Sequence, residues 1–292
     1  MFKKRNNTLV VAVLSICFLI PAYGCRTLQG KVIRQVDHVL IASNDADELF
    51  SLLSDTFQLP IVWPMGNYGR FTSGGVSAGN VNLEVVKMPV STDDNARSQI
   101  IGFAFEPEPL EDSLRELDAR GITHGASVPF TILDSTGSVT TLWNSVALPD
   151  LSNDNIIIFL CEYLHDLPAQ RNKTLGELLS RNGGPLSIES VEEIVIGTTN
   201  MHESKDKWQH LLEPLSPSSQ GVWHLEAGPA IHLIEAEKDG IYELVINVRS
   251  LDQARDFLGE HDLLGINRPD EITVIGSYLQ GLTIKLVEKD FE

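Results

Sequence analysis

Cysteine is scarce in this sequence, with 3 among 292 residues. Cys17 and Cys25 lie near the N-terminus, which leaves Cys161 alone in the body of the chain and excludes an intramolecular disulfide there. Three motifs are missing as well: C-x-x-C, H-E-x-x-H and G-x-x-x-x-G-K-[ST]. Their absence argues against thioredoxin-like redox chemistry, zinc-protease chemistry and P-loop nucleotide binding. Positive charge is in short supply. Lys and Arg number 22 against 40 Asp and Glu, for a formal net charge of −18. A surface that acidic repels phosphate backbones, so nucleic acid is not an expected partner.

Long apolar runs are equally rare, and the one that stands out is at the start. Basic "MFKKRNN" precedes "TLVVAVLSICFLIPA", residues 8 to 22. That run falls short of the roughly 20 residues needed to span a bilayer, so it reads as a secretion signal rather than a membrane helix. It ends in "AYGC", which resembles the bacterial lipobox, although Ala22 stands where leucine is usual. The resemblance implies removal of residues 1–24, acylation of Cys25 and lipid anchoring in the bacterial cell envelope. The alternative is an ordinary signal peptide cut nearby. Several acyl chains on one terminus give durable anchoring, which a single chain does not. Losing residues 1–24 removes Lys3, Lys4 and Arg5 and no acid, so the remaining chain would carry −21.

What the rest of the chain has is repetition. "VDHVLIASNDADELFSLLSDTFQLP" opens as a strand and continues with Leu49, Leu52, Leu53 and Phe57 at helical spacing, with Asn44 or Asp45 as the helix cap. Gly-rich extended pieces follow, then the strand "NVNLEVVKM". Strand, helix and further strands recur from "QIIGFAFEPEPLEDSLRELDARGI" to "NIIIFLCEYL", from "SVEEIVIGTTNMHESKDKWQHLLEPL" to "PAIHLIEAE", and from "IYELVINVRSLDQARDFLGEHDLL" to "GLTIKLVEK". Residues 166–187 form a connector with a short helix between the second and third copies.

Four βαβββ units in tandem, opening on "VDHVLIAS", resemble the vicinal oxygen chelate superfamily of glyoxalases, extradiol dioxygenases and bleomycin-resistance proteins. The resemblance implies an α+β fold of two paired-module glyoxalase-like domains, 34–165 and a degenerate 188–290, each a cupped mixed sheet. It also implies metal ligands projecting into the cup from the first and last strands of each unit. In the first pair those positions hold His38, Glu84, Gly102 and Glu162. Strand alternation supports that choice of His38, Glu84 and Glu162 as one cup's polar groups, where a divalent metal ion would offset the cost of burying two carboxylates. The same carboxylates, Glu84 and Glu162, are the candidates for moving a proton. On its own, His38 reads equally as a core histidine satisfied by its neighbours. Gly102 departs from the ligand histidine of many relatives, and leaves room for substrate or marks a cup without metal.

The second pair carries Glu193, His232, Glu243 and Lys285 at the corresponding positions. Lysine is a poor ligand beside a cation, so Lys285 is expected to pair with Glu193 or Glu243 in a half that serves packing or binding. An open sheet face is the alternative. Tyr68 and Arg70, in "GNYGRF", are candidate substrate contacts, with Arg70 otherwise a surface residue. His165 is assigned to a polar strand end, and Cys161 to an inert thiol facing away from Glu162. "GVSAG" around Ser77 matches G-x-S-x-G, but a strand rather than a helix follows it, which argues for a turn instead of a hydrolase. The expected function is a metal-dependent lyase, isomerase or dioxygenase acting on a small oxygen-rich substrate in the N-terminal cup. The rival is a metal-free small-molecule binder of the same fold. A third reading is an envelope lipoprotein with vestigial cups.

Overall fold

The computed structural model describes residues 30–90, 96–133, 137–164 and 167–289. The apolar run of residues 8–22, Cys25 and His165 lie outside them. The first unit runs β1 (Ile33–Ser43), α1 (Ala46–Ser51, prolonged by one wider turn over Leu52–Thr56), β2 (Ile61–Asn67), β3 (Thr72–Ser77) and β4 (Asn82–Lys87). The second runs β5 (Ser98–Pro107), α2 (Leu110–Arg120), β6 (Val128–Leu133), β7 (Val139–Ala147) and β8 (Ile157–Tyr163). Together they make one eight-stranded sheet of order β2-β3-β4-β1-β5-β8-β7-β6. β1 and β5 meet antiparallel at its centre, and each has the last strand of its own unit parallel on its other side.

Helix α3 (Leu167–Ser180) links this sheet to the second half. There β9 (Ile188–Thr198), α4 (Met201–Leu212), β10 (Val222–Trp223) and β11 (Ala230–Glu235) precede β12 (Gly240–Val248), α5 (Leu251–Glu260), β13 (Leu264–Asn267), β14 (Glu271–Val274) and β15 (Ile284–Glu288). The sheet order is β10-β11-β9-β12-β15-β14-β13, the same plan with one strand fewer. The third unit is thus a βαββ unit, a correction to four equal βαβββ copies. Its helix is followed by "EPLSPSSQG", where Pro214 and Pro217 lack the N–H groups that a ladder strand needs.

Helix starts follow local chemistry. Asn200 and Ser250 cap α4 and α5, accepting from Glu203 N and Gln253 N. Asp45 occupies the expected place before α1, but its carboxylate pairs with Arg97 rather than with the helix. One buried apolar cluster runs through both halves. Phe103 and Phe105 of β5 face Trp208 of α4, with the Phe103 and Trp208 rings stacked 6.0 Å apart. The buried Arg120 guanidinium donates to the carbonyls of His210, Leu211 and Glu213 at the end of α4. It thereby satisfies acceptors that a helix end leaves free. Ser77 ends β3 and leads through a turn into β4, so no nucleophile elbow forms.

Candidate ligand cup of the N-terminal half

The concave side of the eight-stranded sheet holds a cavity of about 450 Å³. β1 contributes His38 and Leu40, and β4 contributes Asn82, Glu84 and Val86, alternate residues as strand geometry requires. The walls are aromatic: Trp63 from β2, Trp143 from β7, and Phe159 and Tyr163 from β8, with Tyr68 and Phe71 beside them. Phe159 meets the His38 ring edge-on at 5.7 Å, and Trp63 does so at 6.5 Å. Phe130 stacks on Trp143 at 4.0 Å and fixes that wall from behind. Gly75 on β3 explains how Trp63 is seated. A Cβ there would lie 2.5 Å from the indole ring.

The floor of the cup is built on a bulge. Val36 pairs with Phe105 and His38 with Ala104, so Asp37 is the extra residue of β1. Neighbours on a regular strand point to opposite faces, but here His38 Nδ1 lies 2.6 Å from Asp37 Oδ2. The other oxygen of Asp37 accepts from Arg171 of α3, and Arg171 also donates to Glu106 of β5. Asp37 and His38 are almost fully buried, at 1% and 4% exposure. Burial alone would raise the Asp37 carboxyl and lower the His38 imidazole. Their mutual hydrogen bond and charges, with Arg171 beside Asp37 and Glu84 beside His38, outweigh it. The net result is an Asp37 held below the usual carboxylate range and a His38 raised above the usual imidazole value.

His38 Nε2 is 3.4 Å from Glu84 Oε2. Among the described residues that is the only ion-pair contact of the Glu84 carboxylate, which is 8% exposed and faces the cavity. Tyr68 also faces it and donates its hydroxyl to Pro64 O. Burial first and the nearby Glu84 charge second raise the Tyr68 phenol above its ordinary value. Arg70 is exposed and does not line the cavity.

Glu162 does not join His38 and Glu84. Its Oε1 accepts from Leu110 N at 2.9 Å, at the first turn of α2 on the opposite face of the sheet. The residues of β8 that reach the cup are Ile157, Phe159, Cys161 and Tyr163. Cys161 therefore does face away from Glu162, and that direction is into the cup wall, where burial pushes its thiol well above the usual range. Gly102 is not open space either. A Cβ there would sit 2.0 Å from Ile157 O, so the approach of β8 to β5 excludes any side chain.

These positions do not fit a resident metal ion. Glu162 lies across the sheet and the fourth position cannot bear a side chain, which leaves His38 Nε2 and Glu84 as the donors of the expected set that reach the cup. Among the described residues no group of three or more His, Cys, Asp and Glu side chains could hold a metal ion. Catalytic metal sites commonly keep three protein ligands.

In the second half His232 Nδ1 lies 2.9 Å from Glu193, and Lys285 pairs with Glu243 at 2.8 Å and Glu271 at 3.5 Å. The expected Lys285 ion pair is therefore to Glu243, with Glu271 as a partner the strand pattern did not suggest.

Two sheets with this strand order, each centred on an antiparallel pair, define the vicinal oxygen chelate fold. Solved structures agree. A mutant of 4-hydroxymandelate synthase from Streptomyces coelicolor matches with a TM-score of 0.59 at 11% identity, covering 89% of this chain and 93% of that one. The 2,3-dioxygenase LapB from Pseudomonas sp. KL28 matches at 0.57 and 12%, covering 89% and 94%. A variant of homoprotocatechuate 2,3-dioxygenase from B. fuscum in complex with HPCA matches at 0.56 and 11%, covering 89% and 72%. No family model matches the chain, and no curated protein does.

Proposed function

We propose that this protein is a small-molecule binder whose N-terminal cup takes a flat, largely apolar ligand without a resident metal. The observation that carries this reading is the cavity itself: about 450 Å³, walled by aromatic rings, with a single buried imidazole–carboxylate pair at its floor. Ligand pockets are commonly of that size, apolar, and oriented by a few polar groups. The B. fuscum dioxygenase variant of the same fold is in complex with a small molecule, HPCA, which supports the use of such a cup for ligands. Metal-dependent lyase, isomerase or dioxygenase chemistry would need a third ligand beside His38 and Glu84, and among the described residues no group of three supplies it.

A second reading has one specific observation behind it. His38 is held by Asp37 through Nδ1 and has Nε2 3.4 Å from Glu84, and both groups of that imidazole–carboxylate pair line the cavity, where such a pair can move a proton. Binding followed by proton transfer would then be the activity.

Residues 1–24 and Cys25 support export and lipid anchoring in the bacterial cell envelope, with the cup outside the cytoplasm. Among the described residues no helix is long and apolar enough to cross a membrane.

A thermal-shift screen of aromatic small molecules tests the reading. Hits whose stabilisation disappears in a Phe159→Ala variant, folded by circular dichroism, are the expected result. Hits that stabilise the variant equally place binding elsewhere and overturn it.

A further inference from the structure

We propose that the ligand of this cup is an organic cation, an ammonium or protonated nitrogen carried on a flat ring system. The inference rests on the binding reading above and adds the charge class of the ligand.

Three features of the cavity converge on it. Its wall carries one carboxylate, Glu84, and among the described residues no lysine or arginine lines it; the His38 imidazolium there is matched by the Asp37 carboxylate bonded to its Nδ1. Arg171 lies behind the wall, and its guanidinium is occupied by Asp37 and Glu106. Arg34 is exposed and is held by Glu106 and Glu108. Neither of those cations is left to receive an anion.

Glu84 is the acid that a ligand in the cavity meets. Among the described residues its one ion-pair contact is the 3.4 Å approach of His38 Nε2, longer than a good charge-assisted hydrogen bond. An ammonium on the ligand adds a full positive charge beside it. Trp63, Trp143 and Phe159 line the same space. Aromatic faces attract cations electrostatically, and tryptophan does so best. The −18 charge of the whole chain acts in the same direction at long range, raising the local concentration of cations and repelling anions.

The test compares three probes that share one ring: 1-naphthylmethylammonium, 1-naphthylmethanol and 1-naphthoate. Each is titrated calorimetrically into the full chain at neutral pH, and separately into a Glu84→Gln variant. The expected result is that the ammonium binds about tenfold or more tighter than the alcohol, with the carboxylate weakest. In Glu84→Gln the ammonium should fall to the affinity of the alcohol, and the alcohol should be little changed. Equal or tighter binding of the alcohol or the carboxylate by the unmodified chain overturns the cation assignment and leaves the binding reading in place. Failure of all three probes overturns both. The comparison in the unmodified chain decides the matter even if Glu84→Gln does not fold.

Discussion

Asp37 and His38 are consecutive residues on one strand, yet Asp37 Oδ2 and His38 Nδ1 lie 2.6 Å apart. Asp37 is the extra residue of the bulge in β1, and α3 brings Arg171 onto its second oxygen. The charge network at the floor of the cup follows from that one extra residue. Replacing Asp37 with Asn keeps the volume and removes the charge. It should destabilise the protein by roughly 3 kcal/mol, the usual cost of stranding a partner of a buried pair. Urea denaturation measures this, and a loss under about 0.5 kcal/mol, typical of surface substitutions, would count against the network.

The same pair sets a pH dependence. The His38 value is raised on folding, so its contribution is fully present below the unfolded value of about 6.5 and is lost as pH rises through the folded value. Asp37 is lowered, so its contribution is present above about 3.9 and is lost as pH falls through the folded value. Stability from these two groups should therefore peak in mildly acidic solution. Urea midpoints should decline on the alkaline side in the unmodified chain and decline less in Asp37→Asn. An alkaline decline of the same size in both proteins would remove the pair as its source.

Glu162 of β8 serves the start of α2. Changing it to Ala removes the acceptor for Leu110 N and should cost about 1 kcal/mol, as the loss of a helix N-terminal acceptor commonly does. Ligand affinity at the cup should not change. A large loss of affinity with unchanged stability would put Glu162 back in the cup.

Gly102 answers to packing. A Cβ would lie 2.0 Å from Ile157 O, a backbone atom that moves only with β8. Gly102→Ala should cost about 2 kcal/mol or more through forced strand separation. A neutral substitution would show that the strands part easily there and that a larger side chain could be accommodated.

Much of the fold was legible because each copy begins with an alternating strand and continues with helical spacing, as in the run from Val36 to Phe57. His38 and Glu84 were legible for the same reason: each sits in a strand whose alternate residues, Leu40 and Val86, also reach the cavity. β8 misled because Ile157, Ile158, Phe159 and Leu160 are apolar on both faces, so the run carries no alternation to say which side Glu162 takes. The aromatic residues Phe159 and Tyr163 were the usable signal, since the aliphatic Ile158 and Leu160 go to the buried helix side. Asp37 was hidden because a bulge breaks the very parity that such reading depends on. Arg171 was hidden because only the path of the connector across the sheet brings it to Asp37. The missing strand of the third unit was marked by Pro214 and Pro217.

The most direct test of this account is the metal content of the full chain, purified without a metal-affinity step and then offered zinc, manganese or iron(II) before desalting. The account predicts no stoichiometric metal, with the same background in the unmodified chain, His38→Ala and Glu84→Ala. One metal ion retained per chain, and lost in both variants, would contradict it.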